Sequence, residues 1–61
     1  MDYVLSEEAA RRLGISSTTL RRLANEGKIK FYRLSPLGYR RYRIADLEAF
    51  ITQRQQTENY N

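Results

Sequence analysis

Apolar residues at helical spacing predict a short first helix over Ser6–Leu13. Ala9, Ala10 and Leu13 form an i, i+1, i+4 stripe along this segment. Serine favours the N-cap position, which Ser6 would occupy. Gly14 follows the last apolar residue, and glycine there can take the left-handed conformation that commonly ends a helix. The pattern therefore predicts an amphipathic helix of about two turns with Ser6 as its cap.

A second stripe predicts a helix over residues 17–26, capped by Ser16 and closed by Gly27. Its apolar positions, at i, i+3 and i+4, are Leu20, Leu23 and Ala24. Only residues 14–16 separate the two helices, and this short turn begins with a glycine. The arrangement is typical of a helix-turn-helix. An ordinary helical hairpin is the alternative, and the polar outer face of the second helix favours the DNA-binding version.

Beyond the second helix the pattern changes to that of strands. Residues 28–34 are rich in strand formers, residues 35–38 form a turn cluster with proline and glycine, and residues 39–44 resemble a return strand. Alternation in the return strand places Tyr42 on one face and the arginines at 41 and 43 on the other. A third helix is expected over residues 45–53.

The element order predicts a winged helix-turn-helix, which is a mainly α fold with a small β-hairpin. The helix-turn-helix is followed by a two-stranded wing and a C-terminal helix. We expect residues 1–54 to form this single domain and residues 55–61 to be a flexible tail. A hairpin is not stable alone, so the wing must pack on the helices.

Composition weighs against catalysis and metal binding. The chain has 61 residues with neither cysteine nor histidine, which removes the commonest general base, the strongest nucleophile and the usual zinc ligands. We expect no enzymatic activity, no cofactor and no metal. No apolar run approaches the ~20 residues of a membrane span, and no signal peptide is evident. A cytoplasmic, nucleoid-associated protein is expected.

The charge distribution indicates one basic face. The net charge is +4, but residues 11–43 contain ten lysines and arginines against Glu26 alone. The rest of the sequence contains six acids and one cation, Arg54. A basic centre between acidic ends suits a polyanion such as DNA. A solvated, salt-bridged surface remains the alternative.

Candidate DNA-contacting residues lie on the second helix and the predicted wing. A recognition helix enters the major groove with its N-terminal residues nearest the bases, where hydroxyls and arginines contact base edges or phosphates. The helix candidates are Ser17, Thr18, Thr19, Arg21 and Arg22. At the wing, cations and a tyrosine suit phosphates or the minor groove, and the candidates are Tyr39, Arg40, Arg41 and Arg43.

Four short motifs at fixed spacing resemble the DNA-binding domain of the MerR family and its excisionase relatives. They are Leu13-Gly14-Ile15-Ser16, Thr19-Leu20-Arg21, Glu26-Gly27-Lys28-Ile29 and Gly38-Tyr39-Arg40-Arg41-Tyr42. The similarity covers about residues 3–52, and its last motif is the most specific. It implies that the second helix enters the major groove and the wing contacts the backbone or minor groove. It also favours an inward-facing Tyr32, where the family often has an aliphatic residue.

The resemblance implies a small architectural or regulatory factor. MerR regulators continue into a long dimerisation helix and an effector domain, whereas this sequence stops shortly after Gln53 and has no cysteine. It is therefore similar in architecture to the excisionase-like members, which bend DNA. Double-stranded DNA is the expected partner, with copies of the chain on adjacent sites and a recombinase as further partners.

Two other functions remain open. The chain resembles the DNA-targeting N-terminal domains of some serine transposases, so it could belong to a recombinase. The basic face could instead contact an acidic protein. Competition by duplex DNA of random sequence distinguishes DNA binding from contact with an acidic protein.

Overall fold

Three helices and a two-stranded sheet form the chain in this computed structural model, which describes residues 2–59, with side chains to residue 53. The elements in order are β1 (Tyr3–Leu5), α1 (Ser6–Leu13), α2 (Ser17–Asn25), β2 (Arg41–Arg43) and α3 (Ile44–Asn59). The predicted winged helix-turn-helix class is confirmed, although the pairing of its strands differs from the expectation.

Both helices of the helix-turn-helix end at a glycine in the left-handed region. The φ angles are +72° at Gly14 and +79° at Gly27. The residue after each glycine donates its backbone N–H to the carbonyl five residues earlier, at 3.0 Å for Ile15 and 2.9 Å for Lys28. These bonds satisfy carbonyls that the helix end leaves open. The two glycines thus fix the length of each helix, as their positions predicted.

The two predicted N-caps have different outcomes. Ser16 caps α2, because its Oγ accepts the backbone N–H of Thr19 at 3.1 Å. Ser6 is not a cap, and the prediction is wrong there. The chain enters α1 directly from β1, so that the extended cap position falls on Leu5 and Ser6 is already helical.

The core lies where the two short helices meet the sheet and α3. Its buried residues are Ala9, Ala10, Leu20, Ala24, Ile29, Tyr42 and Leu47. Leu20, Tyr42 and Leu47 are the largest of the fully buried side chains. Partly buried apolar residues such as Leu23 and Phe31 pack around this centre.

The predicted strand over residues 28–34 does not form. The segment contributes one antiparallel bridge, in which the N–H of Tyr32 donates to the Arg41 carbonyl at 2.8 Å and the reverse bond measures 2.7 Å. The strand partner of β2 is instead β1, with Val4 opposite Tyr42. The N-terminal segment places Val4 against the core beside β2 and so takes the pairing expected of residues 28–34.

The expected burial of Tyr32 is also wrong. Ile29 is 4% exposed and Phe31 packs on the core, whereas Tyr32 is 38% exposed. The Tyr32 hydroxyl donates to Asp46 Oδ2 at 3.4 Å, and its ring lies edge-on to that of Tyr3. The hydroxyl of Tyr32 needs a polar partner or water, whereas the ring of Phe31 does not, and this explains why Phe31 rather than Tyr32 packs on the core.

The third helix is longer than predicted and begins one residue earlier. It starts at Ile44 immediately after β2, where the Ile44 N–H donates to the Asp2 carbonyl at 2.8 Å. Its backbone remains helical to Asn59, so that much of the expected tail at 55–61 is helix. Residues 60 and 61 lie outside the described residues.

Removing a buried leucine should destabilise this small domain far more than removing an exposed one. We expect Leu20→Ala to lower the free energy of unfolding by about 2–5 kcal/mol, because it leaves a cavity in the core. Leu37 is 98% exposed, and Leu37→Ala should change stability by no more than about 0.5 kcal/mol. Urea unfolding followed by circular dichroism measures both, and equal effects would contradict the observed core.

Candidate nucleic-acid interface

The outer surface of α2 presents most of the predicted helix candidates. Ser17, Thr18, Arg21 and Arg22 are exposed, and Thr19 is half-buried. The Ser16 hydroxyl, which caps the helix, also donates to Thr19 Oγ1 at 3.1 Å. The side chain of Thr19 is thus part of the cap, while the other four face solvent. One helix face therefore carries two hydroxyls and two cations.

Arg22 has an acidic neighbour on its own helix. Its Nη1 lies 3.5 Å from Glu26 Oε2, and Glu26 also approaches Lys28 Nζ at 3.3 Å. All three side chains are well exposed, so these pairs contribute little stability and are screened by salt. A phosphate could replace Glu26 as the partner of Arg22 at small cost.

The loop between Tyr32 and β2, residues 33–40, forms the wing loop. A turn closes inside it, with the Gly38 N–H donating to the Ser35 carbonyl at 2.9 Å. A Cβ at Gly38 would lie 3.3 Å from that oxygen, so the turn is tight for a larger residue. Tyr39, predicted as a contact, is 84% exposed on this loop.

Arg40 does not project from the wing loop. Its Nη2 donates to Asn25 Oδ1 at 2.7 Å, and its guanidinium lies 4.1 Å from the centre of the Phe31 ring. The side chain is half-buried, and Nη1 is fully shielded from solvent. The structure thus brings Arg40 to the C-terminal end of α2.

The two arginines of β2 lie on the outer face of the sheet, as alternation predicted. Both are exposed, and Tyr42 between them is buried. Arg43 Nη2 forms an ion pair with Asp46 Oδ1 at 3.0 Å. This hydrogen bond and the charge of Arg43 hold the pKa of Asp46 below its usual range, against the effect of burial. Arg41 is exposed and directly follows the wing loop in sequence.

Asn25 and Phe31 were not among the predicted site residues. Asn25 lies four residues after Arg21 and so on the same face of α2, and that spacing was the available signal. Arg40 lies two residues before Tyr42, so strand alternation places both on the inner face. Applied one step further, the alternation that correctly placed Tyr42 would have predicted an inward Arg40.

Residues 6–55 match the model of a family described as the helix-turn-helix domain. The chain belongs to this family. The transcriptional repressor DcmR of Methylorubrum extorquens is 39% identical over 51 residues, which are 84% of this chain and 19% of the repressor. No solved structure matches the chain.

In this helix-turn-helix protein, α1 and α2 are the two helices that name the family, and residues 14–16 are the turn. Within residues 2–59, no helix is long and apolar enough to cross a membrane. Over the same part of the chain, no three acidic, histidine or cysteine side chains are grouped as a metal site would require.

The ion pair of Asp46 makes a testable contribution to pH dependence. The pKa of Asp46 is lowered in the folded protein, so the folded state binds this proton less readily than the unfolded chain does. The stabilisation is present at neutral pH and is lost as pH falls through the unfolded pKa of about 3.9 and then the lowered folded pKa.

We therefore expect Asp46→Asn to lower the melting temperature at pH 7 and to differ less from the wild type at pH 2–3. Thermal melts followed by circular dichroism across this range measure the difference. Glu48→Gln, on the exposed side of the same helix, is the matched control and should have a small effect at pH 7. A pH-independent gap between Asp46→Asn and wild type would contradict the ion pair.

Proposed function

We propose that this protein binds double-stranded DNA in a sequence-specific manner, with α2 in the major groove. The observation that carries the proposal is the exposed face of α2, where Ser17, Thr18, Arg21 and Arg22 project from a helix fixed by a serine cap and a glycine end. Membership of the helix-turn-helix family supports it. Side chains of this kind can hydrogen-bond base edges and phosphates.

The residues divide into two roles in this proposal. Thr18, Arg21 and Arg22 contact base edges, while Ser17 and the N–H groups at the start of α2 hold a backbone phosphate. Thr19, whose hydroxyl accepts from Ser16, supports the cap beside them. On the other side of the interface, Tyr39 and Arg41 contact sugar or phosphate. Arg43 joins them when a phosphate competes with Asp46 for its guanidinium.

The charge of the interface supports a polyanionic partner. Ten lysines and arginines lie within residues 11–43. The arginines on α2 and β2 are exposed, and Arg22 and Arg43 each form an ion pair with a neighbouring acid. Such a surface attracts DNA through phosphate neutralisation and counterion release. We propose a binding role, without catalysis or a cofactor.

The biological role proposed is regulation of transcription. A relative that is 39% identical is named a transcriptional repressor, and this favours regulation over the other roles. The finer resemblance to MerR and excisionase domains supports the alternative of an architectural factor in site-specific recombination, where copies on adjacent sites and a recombinase are the partners.

A second candidate is that the domain targets a longer protein to DNA. The chain spans about a fifth of the length of the repressor it matches, so the same domain serves there as one part of a larger chain. A DNA-targeting module of a serine transposase would use the same helix surface.

DNA binding should show the salt dependence of a phosphate-contacting protein. If about five phosphates are neutralised, log K should fall against log salt with a slope of about −4.5. A duplex recovered by selection from a random pool is the probe, and a scrambled duplex of equal composition is the control. Fluorescence anisotropy between about 50 and 200 mM salt measures both affinities. A slope near zero, or equal affinity for the two duplexes, would refute the proposal.

Loss of Arg21 should reduce discrimination between the two duplexes. A bidentate contact to a base contributes about 1–3 kcal/mol of specificity, so Arg21→Ala should lower affinity for the selected duplex much more than for the scrambled one. Arg12 is an exposed arginine on α1, paired with Glu8 at 2.9 Å, and Arg12→Ala is the matched control for loss of charge. Identical effects of the two substitutions would contradict base contact by Arg21.

A further inference from the structure

Arg40 joins parts of the chain that the sheet does not hold together. The wing loop is tied to β-structure by the single bridge between Tyr32 and Arg41. Asn25 is the last residue of α2, fifteen positions before Arg40. The 2.7 Å bond between these two side chains therefore links the end of the helix to the end of the loop.

Phe31 completes the contact on the other side. Its ring lies under the Arg40 guanidinium at 4.1 Å and packs against the Tyr42 ring with centroids 6.5 Å apart. Tyr42 is buried in the core. Arg40 is thus held between a core-anchored aromatic ring and the C-terminus of α2, where a cation is also favoured by the helix dipole.

We propose that Arg40 is a positioning residue that sets the wing loop relative to α2 through Asn25. The proposal rests on the proposed function, because the two elements it aligns are those assigned to DNA. In this role Arg40 acts without donating to a phosphate. Its contribution to binding comes from holding Tyr39 and Arg41 at a fixed distance from the base-contacting side chains of α2.

The surroundings of Arg40 favour this role over direct contact. Nη2 is occupied by Asn25, and one face of the guanidinium is covered by Phe31. Nη1 is shielded from solvent and has no hydrogen-bond partner among the described residues, so a phosphate could reach it only if the side chain moved. Arg41, the next residue, is exposed on the outer face of β2. Of the two adjacent arginines, Arg41 is therefore the one placed to bind phosphate.

The geometry requires arginine in particular. The planar guanidinium can stack on Phe31 while one nitrogen of its fork donates to Asn25, and a lysine ammonium has no flat face to stack. Lysine keeps the charge, so it would preserve a phosphate contact in part but would not preserve this arrangement. Arg40→Lys consequently separates the two roles.

The test is a double-mutant cycle of Asn25→Ala and Arg40→Ala, with Arg40→Lys as the charge-keeping variant. Affinities are measured against the selected and scrambled duplexes over a range of salt concentrations. The matched control is Arg41→Ala with Arg41→Lys, since Arg41 is the neighbouring exposed cation. Thermal unfolding of every variant without DNA shows that each is folded at the assay temperature.

We expect Asn25→Ala, Arg40→Ala and Arg40→Lys each to weaken binding to the selected duplex by about tenfold, the effect of losing a hydrogen bond to a charged group. The double variant should be no weaker than Arg40→Ala, because both substitutions break the same contact. The salt slope of Asn25→Ala and of Arg40→Lys should match that of Arg40→Ala, because each substitution releases Arg41 from its position to the same extent. In Arg41→Ala it should become shallower by about 0.9, with recovery in Arg41→Lys.

The opposite pattern would overturn the proposal. It consists of a silent Asn25→Ala, a near-normal Arg40→Lys and a salt slope that becomes shallower in Arg40→Ala alone, which together indicate a phosphate contact. Additive losses in the cycle would also overturn it.

If the wild type bound neither duplex, the proposed DNA-binding function would be refuted but the role of Arg40 would not. The same cycle in unfolding midpoints would then decide the inference, with coupling supporting the Arg40–Asn25 link and additivity refuting it.

Discussion

Burial of Tyr42 is the constraint on which the rest of the structure depends. Strands β1 and β2 contain three residues each, and a two-stranded sheet of this size is not stable alone. Tyr42 is 1% exposed at the centre of β2 and attaches the sheet to the helices. A chain of 61 residues can bury only a small core, and Tyr42 is among the largest of its fully buried side chains.

The arrangement of cations follows from that burial. Because side chains alternate along a strand, an inward Tyr42 places Arg41 and Arg43 on the outer face and Arg40 on the inner one. The two outer arginines are exposed to solvent, and Arg43 also forms an ion pair with Asp46. Arg41 and Arg43 are thus exposed on one face of β2, whereas Arg40, the last residue of the wing loop, packs on Phe31 and Asn25.

The helices could be predicted from sequence because their signals are local. The stripe through Leu20, the cap at Ser16 and the glycines at 14 and 27 each act within one or two helical turns. The strand pairing could not be predicted in this way, because local patterns do not show which distant segment will pair with β2. The choice of β1 depends on Val4 reaching the core beside Tyr42, a contact between residues 38 positions apart in the sequence.

The candidate site shows the same division between local and long-range information. The exposed face of α2 follows from helical periodicity, so the exposure of Ser17, Thr18 and Arg21 could be predicted from the sequence. The environment of Arg40 depends on Asn25 and Phe31, which approach it only in the folded chain. A loop held by one β-bridge has little backbone pairing to fix its position. Side-chain contacts must supply that order, and an arginine in a basic wing can therefore support the fold while its neighbour remains available to DNA.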